Sequence, residues 1–298
     1  MIEKIVTTEP ASTEIVIYLD GKERLKGIPD KCHFPGLESI PKVVKNSIDI
    51  PQNLPSREID MIVTNAVKRG ISPYVVDFSL IAQIDPDLIV GQSLCSACAH
   101  SLDSPLKGVE IFMPGKLKVS LVYSHSPTTY FGVAKSIFKL SKILGREEKG
   151  EIIQEEFSKM LGEIKGLGKG LKIAFIEWLD PIYFAGLWVS DLILRSGARP
   201  IIDGFGRIGK YDELLEFNPD ILVIAPCAFS VERTMREIKV LTQRNKWGEI
   251  RAVSKGEVYV FDGTISSNPT HDLIKLGKFL LNVLSGQKVD NSVAQILE

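Results

Sequence analysis

Short strand-like runs alternate with longer runs of helical spacing along this chain. Lys4 to Thr7, Leu25 to Ile28, Tyr74 to Val76 and Leu88 to Val90 read as strands in the first half. Between them, Ile15, Val16 and Leu19 share one helical face, with Ser12 or Thr13 as the expected cap. Ile59, Ile62, Val63, Ala66 and Val67 share another, predicting a helix over Ser56 to Arg69. Phe78 to Ile84 reads as a third helix, Ile40 to Pro55 as extended chain, and Val109 to Met113 as the last strand of this half. From Pro127 to Gly166 no strand pattern intervenes. Two helical runs, marked by Val133, Ile137, Leu140 and Leu144 and by Ile152, Ile153, Phe157, Leu161 and Ile164, meet at Gly145. The pattern then restarts: strands over Lys172 to Trp178 and Val258 to Phe261, a turn at Gly197 to Pro200 leading into Ile201-Ile202, and helices through Val189 to Leu194, Tyr211 to Phe217, Glu232 to Arg244 and Leu273 to Leu284.

One plan occurs twice. Asp85-Pro86-Asp87 precedes the apolar run Leu88 to Val90, and Asn218-Pro219-Asp220 precedes Ile221 to Ile224. Continuous apolar runs without alternation suit parallel strands covered on both faces. The expected fold class is therefore α/β: two α/β lobes with central, mostly parallel sheets, with residues 1–126 in the first, 127–166 as a helical connector and 167–298 in the second. Ligands of open parallel sheets bind beyond the carboxyl ends of the strands. Two such edges predict a ligand cleft between the lobes.

Composition narrows the function classes. The formal net charge is −1, which provides no broad attraction to nucleic acid or anionic membrane. No apolar run reaches the roughly 18 residues of a membrane helix. Met1-Ile2-Glu3-Lys4-Ile5-Val6 lacks the basic start and apolar core of an export signal, which predicts a cytoplasmic protein.

The chain has four cysteines, too few for a disulfide scaffold. Each follows a predicted strand: Cys32 after the second, Cys95 and Cys98 after Leu88 to Val90, and Cys227 after Ile221 to Ile224. Together they could hold zinc or an iron–sulfur cluster, with His33 or His100 as substitute ligands. Ordinary packing of small residues is the competing reading. His125 and His271 read as solvated loop residues. Trp178, Tyr183, Phe184 and Trp188 could pave a site for a flat ligand, although Trp188 on a helix reads first as core. Glu9 and Glu14 read first as helix-start residues. No dinucleotide fingerprint, phosphate loop or nucleophile elbow is present, so no enzyme is expected.

Several stretches resemble the cobalamin- and iron-chelate-binding class of ABC transporter substrate-binding proteins, and more narrowly their cysteine-bearing cobalamin-binding relatives. They are Glu9 to Glu14, Lys31-Cys32-His33-Phe34-Pro35, Pro86 to Val90 with Leu94-Cys95 and Cys98-Ala99, Ile176 to Pro181, Pro226-Cys227, Glu232-Arg233 and Trp247 to Gly263. Lys31 and the loop Ser266 to Asp272 depart from the pattern of those relatives. The resemblance implies two lobes joined by a long α-helix, a corrinoid or other small metal-containing ligand between them, and an ABC permease as partner. The loops it implicates carry Glu9 and Pro10; Cys32, His33 and Phe34; Gln92, Ser93, Leu94 and Cys95; Glu177, Trp178 and Phe229; and Ser266. The alternative function is an intracellular metal or iron–sulfur protein built on the cysteines. A weaker third is an enzyme acting on a bound cofactor.

Overall fold

The computed structural model describes residues 2–32, 34–51, 53–92 and 121–297. The chain divides into two compact units. One takes Met1–Gln52, Met61–Pro127 and Ala134–Ile153; the other takes Asn53–Asp60, Thr128–Val133 and Gln154–Glu298. Each has its own sheet, so two α/β lobes are present, as expected.

The first unit holds β1 (Ile5–Thr7), β2 (Leu25–Pro29), β3 (Lys42–Asn46), β4 (Tyr74–Val76), β5 (Leu88–Gly91) and β6 (Leu121–Ser124), in the order β4-β3-β2-β1-β5-β6. All neighbours are parallel except β3 and β4. The helices are α1 (Pro10–Tyr18), α2 (Ser56–Lys68) and α3 (Phe78–Ile84). Val6, Val43, Val44, Val76, Ile81 and Ile89 form one buried cluster. Burying a side chain of this kind contributes about 1.5–3 kcal/mol. The expected strand Val109 to Met113 lies outside the described residues. The strand seen next to β5 is β6, which lacks a clear apolar period.

Helix α1 starts earlier than its sequence pattern suggests. Glu9 is the N-cap, its carboxylate accepting from the Ser12 amide at 2.9 Å, and Pro10 occupies the first turn. Proline suits that position because its missing N–H would have no helical partner. Ser12 and Thr13 are therefore inside the helix, not capping it.

Two helices follow the first unit's last strand: α4 (Tyr130–Leu144) and α5 (Glu147–Ile164). The two helical runs expected to meet at Gly145 are thus two helices, and Gly145, at φ +68°, ends the first in the left-handed conformation that glycine adopts without penalty.

The second unit contains β7 (Lys172–Trp178), β8 (Tyr183–Phe184), β9 (Arg199–Pro200), β10 (Arg207–Ile208), β11 (Ile221–Ile224), β12 (Val258–Phe261) and β13 (Ala294–Ile296). The sheet order is β10-β8-β7-β11-β12-β13, with β9 also paired to β7. Strands β7, β11 and β12 are parallel, whereas β8, β10 and β13 are antiparallel additions at the edges. Helices α6 (Leu187–Arg195), α7 (Tyr211–Phe217), α8 (Val231–Glu237), α9 (Lys239–Thr242), α10 (Arg251–Ser254), α11 (Gly263–Ser266) and α12 (Ile274–Leu284) pack around it. The predicted helix Glu232 to Arg244 is broken at Ile238 into α8 and α9.

The duplicated plan is physical. Asp85 and Asn218 end α3 and α7 in left-handed geometry, with φ of 51° and 47°. Two residues on, Asp87 accepts from the amides of Glu3 and Lys4 at 2.8 and 2.9 Å, and Asp220 accepts from the Lys172 amide at 2.9 Å. Each aspartate thereby ties the start of its own strand to the start of the neighbouring one. The pairs that result, β5 on β1 and β11 on β7, are the parallel centres of the two sheets.

Candidate functional site

In the first unit, the carboxyl end of β1 leads directly into the α1 N-terminus, and the groups there are polar but enclosed. Glu9 is buried, and burial raises its carboxyl to about 7 against the lowering effect of the Ser12 hydroxyl and amide. The hydroxyls of Thr7 and Thr13 lie 2.7 Å apart, and the Cys32 thiol donates to Thr13 Oγ1 at 3.2 Å. Burial also pushes the Cys32 thiol up to about 11. At neutral pH Cys32 is therefore a protonated, hydrogen-bonded thiol. The hydroxyl of Thr8 is buried and has no hydrogen-bond partner among the described residues. Pro10 is exposed, Phe34 is half-buried on the loop after β2, and Gln92 is half-buried immediately after β5. Glu9, Cys32 and the threonines thus come together around β1. Phe34 and Gln92 follow β2 and β5, the strands on either side of β1.

His125, expected to be solvated, is fully buried after β6. Its amide donates to Gly91 O at 2.7 Å and its Nδ1 lies 2.8 Å from Ser136 Oγ, which also lies 2.9 Å from the Tyr123 hydroxyl. Serine and tyrosine partners on adjacent elements offset the cost of enclosing the ring. His271 is also partly enclosed, and burial holds its imidazole below the ordinary range.

In the second unit, Glu177 and Trp178 close β7 and are half-buried. The Trp178 ring lies 5.2 Å from that of buried Phe229, tilted by 55°. Its indole N–H donates to Ser56 O at 3.2 Å. Cys227 is half-buried in the turn after β11, where its amide donates to Glu177 O at 2.9 Å. Ser266 is buried in α11, and its carbonyl accepts from the Trp188 indole at 2.8 Å. Glu177, Trp178, Cys227 and Phe229 therefore share one end of the β7–β11 pair. Ser266 instead serves as a packing partner of Trp188, the core role expected for that tryptophan. Sequence reasoning did not separate out Ser56, which accepts from Trp178, or Glu237 and Leu54, which are joined to it through Ser56 and Arg233; isolated residues on helices and a loop give no periodic signal.

His33, Ser93, Leu94, Cys95, Cys98 and His100 lie outside the described residues. Among the described residues no group of three or more His, Cys, Asp or Glu side chains is placed to hold a metal ion. The cysteine cluster anticipated from Cys32, Cys95, Cys98 and Cys227 is not seen among those residues.

No family model matches the sequence, and no curated protein matches it. Solved structures do match over nearly the whole chain. A periplasmic solute-binding protein of Staphylococcus epidermidis, described as a possible iron-binding protein, has a TM-score of 0.66 at 16% identity, over 95% of this chain and 98% of its own. The periplasmic vitamin B12-binding protein BtuF of Vibrio cholerae gives 0.66 at 15% identity, over 95% and 97%. IsdE of Staphylococcus aureus, solved with haem, gives 0.66 at 16% identity, over 94% and 98%. The fold is thus that of the solute-binding proteins the sequence resembles. They correct the expected cytoplasmic location: the first and second are described as periplasmic, and the composition of Met1 to Val6 was the sole ground against such a location. No helix among the described residues is long and apolar enough to cross a membrane.

Proposed function

We propose that the chain is the solute-binding component of an ABC-type uptake system and takes a flat metal chelate, either a corrinoid, haem or an iron chelate. The observation that carries this reading is the mutual coverage. Three proteins, one described as a possible iron-binding protein, one as vitamin B12-binding and one solved with haem, each align over at least 94% of this chain and 97% of their own length. A strand exit supports it chemically. At the end of β7 in the second unit, half-buried Trp178 offers aromatic surface and Glu177 a polar contact for a large ligand.

Absorbance titration with hemin, cyanocobalamin and a ferric hydroxamate tests the proposal. Saturable binding of one of the three at one ligand per chain is expected. Failure of all three to bind would sink it. Zinc and iron analysis of the same preparation, beside serine variants of Cys32, Cys95, Cys98 and Cys227, tests the cysteine expectation separately.

A further inference from the structure

The segment Asn53–Asp60 belongs to the second unit, although the chain on both sides of it belongs to the first. Side chains distant in sequence hold it there. Glu237, at the end of α8, places Oε1 2.6 Å from both the amide nitrogen and the hydroxyl of Ser56. Arg233, one turn earlier, donates to Leu54 O, lies 3.4 Å from Glu237 Oε2, and stacks 4.3 Å over the Phe229 ring. The Ser56 carbonyl accepts from Trp178 Nε1. Ser56 is fully buried, and its amide, hydroxyl and carbonyl are all engaged by these residues.

The first amides of a helix have no partner within it, and a neighbouring Ser, Thr, Asp or Asn usually supplies the acceptor. Here α2 takes its acceptor from a carboxylate 181 positions away. A buried carboxylate is costly unless its oxygens are matched by donors or a cation. Here Oε1 has two donors from Ser56, while Oε2 faces the Arg233 guanidinium at 3.4 Å without a hydrogen bond among the described residues. The arrangement therefore does more than start a helix: it fixes where Ser56 sits, and Ser56 fixes the indole edge of Trp178.

We propose that Glu237 is a positioning residue for Trp178, acting through Ser56, with Arg233 completing the clamp. The consequence for ligand rests on the reading of Trp178 as an aromatic contact for a flat chelate. Without the clamp, the indole loses its hydrogen-bond partner and its fixed angle to Phe229. A rigid aromatic face binds better than a mobile one because less freedom is lost on binding.

The full chain labelled with 5-fluorotryptophan tests the clamp without ligand. It contains three tryptophans, and Trp178→Phe assigns the resonance of interest. In Glu237→Ala the Trp178 resonance shifts or broadens while those of Trp188 and Trp247 stay in place. Amide exchange over residues 54–60 quickens at least tenfold, and exchange in β11 and β12 does not. Glu237→Gln, which keeps an acceptor, falls between the two. Should Glu237→Ala not fold, Glu237→Gln and Arg233→Lys give the same comparison. An unmoved Trp178 resonance with unchanged exchange overturns the proposal. So does a shift of all three resonances with protection lost throughout the second unit, which would make Glu237 a stability residue only. Titration with hemin and cyanocobalamin then reads the consequence: about tenfold weaker binding in Glu237→Ala, partly recovered in Glu237→Gln, is expected, and unchanged affinity overturns the effect on ligand. If the unsubstituted protein binds neither, the proposed function is what fails, and the fluorine and exchange results still decide whether Glu237 positions Trp178.

Discussion

Glu9 shows how one side chain at a strand exit serves the fold and also sets a pH dependence. It caps α1, but burial holds its proton up to about 7, against an ordinary 4.5. The folded state therefore prefers the neutral acid. Its contribution is fully present below pH 4.5 and is lost as pH rises through 7, by about 3 kcal/mol at most for a shift of this size. Urea unfolding followed by far-ultraviolet circular dichroism from pH 4 to 8 should show this fall. Glu9→Gln, which keeps the acceptor for Ser12, should flatten it; an identical slope in both proteins would remove Glu9 as its source. Cys32 gives a second test: a buried thiol titrating at about 11 should resist iodoacetamide at pH 8 in the folded protein and react on unfolding. Rapid alkylation of native Cys32, read by peptide mass spectrometry, would contradict its placement. At Trp178, replacement by alanine removes an aromatic face worth a few kcal/mol, so chelate affinity should drop about tenfold or more. Calorimetry showing equal affinity would take Trp178 out of the site.

At the scale of elements, the aspartates after the two prolines explain why so much of the fold could be read from sequence. A left-handed helix end, a proline and a strand-tying aspartate are local features carried by three adjacent residues. In the second unit Asp220 also meets Arg251 at 2.9 Å; burial opposes its ionisation, but the guanidinium and the Lys172 amide outweigh that and hold its carboxyl below the usual range. Asp220→Ala leaves the Lys172 amide and Arg251 without their acceptor and should cost about 1–3 kcal/mol. Trp178, Trp188 and Trp247 all lie in the second unit, so tryptophan emission during urea unfolding reads that cost where it arises. An unchanged midpoint would mean that solvent replaces the aspartate at no loss. The elements missed were those without such signals. Two-residue strands such as β8, β9 and β10 are too short to show a period. β13 contributes one buried residue, and β6 mixes polar and apolar positions without alternation. The break at Ile238 has helical dihedrals and neither glycine nor proline to announce it.

At the scale of the whole molecule, fold and ligand were legible to different degrees for a physical reason. Architecture depends on buried apolar strands and their turns, and many sequences satisfy those demands, which is why 15–16% identity accompanies a TM-score of 0.66. Ligand choice depends on a few side chains at strand exits, and these can change while every strand stays in place. The expectation that failed outright, the cytoplasmic location, came from the first residues and not from anything that builds the fold. The binding proposal has a consequence that needs no assumption about which side chain touches what. A ligand that binds only the folded chain stabilises it by about 2.7 kcal/mol at a free concentration one hundred times its dissociation constant. For folding units of 150–250 residues, each kcal/mol raises the melting temperature by about 2–4 °C. The true chelate should therefore raise it by about 5–10 °C at that concentration, with the shift growing logarithmically as more is added. Differential scanning calorimetry with hemin, cyanocobalamin and the ferric hydroxamate ranks the three in one series. Metal-free protoporphyrin and the iron-free hydroxamate serve as the comparisons that separate recognition of the whole chelate from recognition of its organic part alone. A melting temperature that stays fixed in the presence of every chelate would leave the chain with the fold of these binding proteins and without their kind of ligand.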